Sequence, residues 1–126
     1  MKLVDLENYM LNRSALLLRY KAPAVQWIND ADPAPGGTPT TVEEVNRDLT
    51  VYLVSDEVAE SPAEVRRWIK VNWRALFESE LEGWYTEPSL WPKLTLKRFD
   101  EWFDVECHSM LLDTLDTPIE DDEAQD

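Results

Sequence analysis

Residues 61–104 read SPAEVRRWIKVNWRALFESELEGWYTEPSLWPKLTLKRFDEWFD, and the rest of the chain is organised around this stretch. Ser61, Pro62 and Glu64 open it with a serine in the N-cap position, a proline at the first helical position and a glutamate three residues past the cap. That is a capping box, and it sets the start of a long helix near 62–82. Steps of about 100° per residue from Val65 put Trp68, Ile69, Asn72, Trp73 and Leu76 on one arc, with Ala75 at its edge. The opposite arc carries Arg66, Arg67, Lys70 and Arg74. Phe77 and Leu81 drift off the main stripe, so the last turns are expected to meet a following helix, reached through a stop at Gly83. Trp84, Tyr85, Pro88, Trp91 and Pro92 form a rigid aromatic turn. Leu96, Phe99 and Phe103, flanked by Trp102, then mark a shorter helix near 95–104. Five of the six tryptophans fall in this stretch.

Upstream, Leu49–Ser55 is the clearest strand, with β-branched and aromatic residues alternating. Both of its faces are apolar enough to suggest a central strand with helices over at least one side. Ser14–Lys21 either extends an N-terminal helix or forms a buried strand, and its short length and abrupt stop before Pro23 favour the strand. Leu3, Leu6 and Met10 would suit a short helix, although Val4, Tyr9 and Leu11 blur that stripe. Pro23 suits the first position of a short helix whose apolar stripe is Ala24, Trp27, Ile28 and Ala31. A proline- and glycine-rich stretch at 32–39 is a flexible loop. Thr40 or Thr41 then caps one or two helical turns. Val105–Asp113 is a final strand. The expected architecture is α+β, a small, largely antiparallel sheet of about three strands. Helices pack mainly on one of its faces, and the long helix near 62–82 pairs with the shorter one near 95–104. Residues 1–116 make a single domain and 117–126 an acidic disordered tail.

With 126 residues, the chain can bury one core. Its formal net charge of −14 is the most unusual bulk property, and without the five acids of the last ten residues 21 acids still face 12 bases. Such a surface speaks against direct binding to nucleic acid or to an anionic membrane, and no apolar run approaches the roughly 20 residues of a span. One cysteine and an N-terminus without a signal-like apolar core suit the cytoplasm.

Candidate chemistry is sparse, and each feature has an ordinary structural reading. Cys107 and His108 are adjacent, which on a strand points them to opposite faces, whereas Glu106 and His108 share one. One Cys and one His cannot supply a usual zinc site, so neither metal nor cofactor is expected. Asp100 and Asp104 stand four apart on the second helix, and Asp56 and Glu57 follow the strand at 49–55; both pairs are equally at home as solvated acids. No catalytic residue is assigned. Asp100, Glu101 and Asp104 crowd the end of the second helix, where the dipole disfavours them. The basic stripe Arg66, Arg67, Lys70 and Arg74 either compensates them, within the chain or across a dimer, or stays free for an acidic partner.

The reading that follows is a small acidic cytoplasmic module, non-enzymatic, that binds another protein, with a homodimer as a further option. Its candidate interaction surface is Arg66, Arg67, Lys70 and Arg74 with Trp84, Tyr85 and Trp91. The first alternative is an enzyme or small-ligand binder whose pocket lies at the aromatic turn 84–91, with Glu106 and His108 as polar groups. The second is a nucleic-acid mimic.

Overall fold

A computed structural model of the chain describes residues 6–31 and 37–122. The start of the expected N-terminal helix, most of the loop at 32–39 and the last residues of the 117–126 tail lie outside the described residues. Three strands, β1 (Ser14–Tyr20), β2 (Val51–Val54) and β3 (Phe103–His108), form one antiparallel sheet in the order β2-β1-β3. The helices are α1 (Ala22–Ala31), the single turn α2 (Val42–Val45), α3 (Pro62–Trp84) and α4 (Leu96–Trp102). The fold is α+β, with the long helix and the shorter one in contact.

The pleat of β1 decides which face is covered. Leu16, Leu18 and Tyr20 lie in the core, and the register pairs them with Tyr52 on β2 and with Cys107, Val105 and Phe103 on β3. These side chains therefore share one face of the sheet, the face the helices cover. Against them α3 lays Ile69, Leu76, Phe77 and Leu81, while α4 adds Phe99 and Trp102 and α1 adds Ala24, Val25 and Ile28. Phe77 sits at the centre, completely buried, its ring 5.9 Å from Phe99, 5.4 Å from Trp102 and 5.6 Å from Phe103. Fully burying such a side chain contributes roughly 1.5–3 kcal/mol. The alternate face carries Leu17 and Arg19 of β1, Val51 and Leu53 of β2, and Asp104, Glu106 and His108 of β3. Val51 and Leu53 are each 49% exposed there.

The helix starts follow local chemistry. Ser61 Oγ accepts the Glu64 N–H at 3.1 Å with Pro62 in the first turn, and Thr41 Oγ1 accepts the Glu44 N–H at 3.1 Å. Thr95 caps α4 in the same way through the Arg98 N–H at 3.0 Å.

Four expectations are corrected. The central strand is β1, not the segment at 49–55. β2 is an edge strand: β1, the more continuously apolar run, is paired along both edges and buries Leu16 and Leu18, whereas Val51 and Leu53 remain half in solvent. The long helix does not stop at Gly83. It runs on to Trp84, and the extended Tyr85 closes it by donating its N–H to the Leu81 carbonyl at 2.9 Å. The second helix ends at Trp102, so Asp104 belongs to β3 and does not share a helix face with Asp100. The last strand begins at Phe103 and ends at His108, short of Asp113. The chain goes directly from α4 into β3 there, because the Phe103 N–H is spent on the Phe99 carbonyl while its ring enters the core.

Candidate functional site

The largest cavity described is a groove of about 630 Å³ between β3, the first turns of α3 and the end of α4. Phe103, Val105 and Cys107 of β3 face Val65 and Ile69 of α3 across its floor. Its rim is charged in both signs. Arg66 donates from Nη1 and Nη2 to the two carboxylate oxygens of Asp100, each at 2.7 Å. Lys21 Nζ reaches the Asp100 carbonyl at 2.9 Å and Asp104 Oδ1 at 3.3 Å. The fork-on-fork bond to Asp100 pushes the Arg66 guanidinium further up from its ordinary value, so its charge is fixed. Burial among these apolar neighbours pushes the Cys107 thiol up, which makes it a poorer nucleophile than a free cysteine.

The crowded end of α4 is thus compensated by Arg66 from the basic stripe and by Lys21. The other stripe residues stay on α3. Arg67 pairs with Glu64 at 2.5 Å and Arg74 with Glu78 at 3.2 Å, and Lys70 is exposed with no ion pair among the described residues. All the paired side chains are substantially solvated, so each such pair is worth roughly 0–1 kcal/mol.

The aromatic turn is pinned to α1. Tyr85 O–H donates to the Ile28 carbonyl at 2.5 Å, Trp91 Nε1–H to the Tyr85 carbonyl at 2.8 Å, and Trp27 Nε1–H to the Leu90 carbonyl at 2.9 Å. Trp84, 40% exposed, donates to Tyr20 Oη at 2.9 Å. All of this lies at the Tyr20 end of β1. His108 pairs with Ala15 at the other end, about 17 Å away at strand spacing. The structure therefore does not bring Trp84, Tyr85 and Trp91 together with His108, and none of the three cavities described is lined by both.

Glu106 and His108 do meet on the uncovered face, with Nε2 to Oε2 at 2.7 Å, and Arg19 Nε donates to the other Glu106 oxygen at 2.7 Å. These bonds, Arg19 first, hold the Glu106 carboxyl below its ordinary value. Cys107 sits on the opposite face from His108, directly across from Leu16. Asp56 accepts the hydrogen bond of the fully buried Ser14 at 3.0 Å, which gives it a structural task at the end of β1.

Sequence reasoning missed Glu80. Tyr20 O–H donates to its Oε1 at 2.7 Å and Tyr52 O–H donates to its Oε2. Ser79 Oγ, 3.2 Å from Tyr52 Oη, supplies that oxygen with a proton in turn. Burial first, and then the neighbouring Glu80, push both phenols well above the usual tyrosine range, so they act as permanent donors. The signal is present in the helical pattern. Glu80 falls about 60° from Val65, between Leu76 at about 20° and Phe77 at about 120°, an acid at the centre of the apolar arc.

Among the described residues, no group of three or more His, Cys, Asp or Glu is placed to hold a metal ion, and no helix is long and apolar enough to cross a membrane. Comparison with protein-family models, curated proteins and solved structures gives no match to this chain.

Proposed function

We propose that this chain is a small cytoplasmic module that works by binding another protein. The observation that supports the reading is the one-sided packing of the sheet. Helices cover the face of Leu16, Leu18 and Tyr20, while the other face leaves Val51 and Leu53 each 49% exposed beside Leu17. Leu53 stands across from Ala15 and Val51 across from Leu17, so these apolar side chains are neighbours on one surface. A contiguous apolar patch ringed by polar and charged groups such as Arg19, Glu106 and His108 is the composition of an interface core with a polar rim.

The test is affinity capture from the native cell in mild salt with the wild-type chain and with Leu53→Lys, whose side chain already touches water and so leaves the core intact. The reading expects a protein retained by the wild type and lost by the variant, with equal thermal midpoints for the two chains. Retention of nothing by either overturns it, and identical retention by both overturns the open face as the binding surface. A mass that doubles with concentration in light scattering and reverts in the variant makes a second copy the occupant and overturns it too.

A further inference from the structure

The two outer strands of the sheet are not equivalent, and the difference lies in where the backbone of β3 points. Lys21 N–H donates to the Trp102 carbonyl at 2.8 Å, and the β1–β3 register places these two residues directly opposite each other. In an antiparallel ladder, hydrogen-bonded and non-hydrogen-bonded pairs alternate. The pairs bonded to β1 are therefore those of Asp104, Glu106 and His108, and Phe103, Val105 and Cys107 aim their backbone groups away from the sheet. Tyr20 has the matching phase: its N–H and C=O turn to the β2 side, where the Asn46 side chain takes both at 2.9 and 3.0 Å. The Phe103 N–H is used by α4. This leaves the N–H and C=O of Val105 and Cys107 along a free edge, since β1 is the only ladder neighbour of β3 among the described residues. The side chains of the same residues line the 630 Å³ groove against α3.

A free edge strand beside a groove floored by a helix is the geometry that accepts an added strand, with main-chain hydrogen bonds along the edge and alternate side chains in the groove. The charge pattern selects the occupant. A second copy would pair β3 with β3 about a two-fold axis, antiparallel. In the central registers that use the outward groups of Val105, the residues facing each other on the uncovered side are Asp104 with Glu106, Asp104 with Asp104, or Glu106 with Glu106 flanked by Asp104 with His108. Like charges directly opposite are destabilising, and a net charge of −14 on each chain adds to the repulsion. Asp104 and Glu106 each already have a base within the chain, Lys21 at 3.3 Å and Arg19 at 2.7 Å, and it is the net charge of −14 around these pairs that favours a strand with cations at those positions.

We infer that the free edge of β3 and its groove bind an extended segment of a partner protein in which apolar side chains alternate with lysine or arginine. The apolar ones enter the groove over Val65 and Ile69, and the basic ones lie beside Asp104 and Glu106. This rests on the proposal that the chain is a protein-binding module, but it uses a different surface from the Val51–Leu53 patch.

The experiment is fluorescence anisotropy of the full chain with a labelled synthetic peptide alternating valine and lysine. Three competitors accompany it: the same peptide methylated on the amides of alternate residues, in either phase, and one alternating valine and glutamate. Saturable binding is expected. Methylation in the phase that faces β3 should weaken it by about tenfold or more, as should the exchange of lysine for glutamate, and methylation in the other phase should not. Amide exchange should slow at Val105 and Cys107 on binding. Val105→Pro, which removes an N–H that the sheet does not use, should abolish the interaction. If that variant does not fold, the methylated peptides decide the matter by themselves. Absence of binding, equal binding of both methylated forms, or binding of the acidic peptide overturns the inference. Its failure with Leu53-dependent capture intact leaves the module reading in place. Peptide binding with no Leu53-dependent capture overturns the open-face reading alone.

Discussion

Replacing Glu80 by alanine removes the acceptor that Tyr20 and Tyr52 share. Each phenol donates to a carboxylate, and hydrogen bonds to a charged group are worth about 1.5–3 kcal/mol each. The two losses are unequal. Tyr20 is 6% exposed, so its proton reaches water poorly, whereas the Tyr52 hydroxyl lies in a half-buried side chain beside Ser79 and can turn to water. Glu80→Ala is therefore expected to cost about 3–4 kcal/mol, a large share of the roughly 5–15 kcal/mol that holds a domain together. Glu80→Gln keeps one acceptor oxygen for Tyr20 and offers Tyr52 an N–H, and should cost about 1 kcal/mol. Urea unfolding measures both through the midpoint at constant slope, and thermal scans should show the alanine variant melting roughly 10–15 °C lower.

The same cluster predicts an alkaline limit. Both phenols are raised above their ordinary value of 10, so the folded chain keeps protons that the unfolded chain has released. Stability is fully present below pH 10 and falls as the pH rises beyond it. Tyr20 contributes a slope of about 1.4 kcal/mol per pH unit, and Tyr52, being less buried, contributes less. Tyrosinate absorbance should then rise for two of the four tyrosines only as ellipticity is lost. A Glu80→Ala variant that loses under about 1 kcal/mol, or Tyr20 and Tyr52 titrating near pH 10 in a chain still folded, would refute the reasoning.

Two further outcomes follow from the charged pairs. Arg66→Lys keeps the charge at the groove rim but loses the two-pronged bond to Asp100. It should cost about 0.5–1 kcal/mol, since both side chains are about two-fifths exposed, and the cost should vanish in an Asp100→Asn background in a double-mutant cycle. Glu106 is held below its ordinary carboxyl value by Arg19 and then by His108. Its contribution is present at and above that ordinary value and is lost as the pH falls through its lowered one. A carboxyl-carbon NMR titration should therefore place Glu106 among the most acidic glutamates, and Arg19→Ala should move it up; an unmoved midpoint would rule Arg19 out as the cause.

Much of the fold is legible from neighbours in sequence. The cap at Ser61, the box at Thr41 and Glu44, the strand at Ser14–Tyr20 and the α+β class all depend on residues a few positions apart, and local chemistry decides them. The differences arise where distant chain decides. Leu49–Ser55 has the composition of a central strand, but strand order depends on which run is paired along both edges, and the run that holds the fully buried Leu16 and Leu18 takes that place. Gly83 suggests a stop because glycine permits a left-handed turn, yet nothing obliges it to make one when Tyr85 can close the helix in an extended conformation. The candidate site is less legible still. Trp84, Tyr85 and Trp91 are close to each other in sequence and remain close in space, whereas His108 is carried to the far end of the sheet by the direction of β3. The groove combines Lys21 with residues from 59 to 107, and no spacing rule joins those positions.

The two edges of the sheet show how a small fold can leave one strand open without inviting its own copies. An exposed edge is a template for any chain that can extend along it, and short length or charge is the usual protection. β2 uses the first device: it has four residues, and the Asn46 side chain already occupies the Tyr20 backbone beyond its end. β3 has six residues and uses the second, with Asp104 and Glu106 alternating along its uncovered side. Charge of a single sign, however, protects against only one class of strand. It repels an identical copy while adding attraction for a basic one, and the apolar groove beneath Val105 and Cys107 remains available to either. Protection from self-association and selection of a partner are thus the same electrostatic term with opposite signs, which is why reversing the charge of the added strand is the decisive comparison.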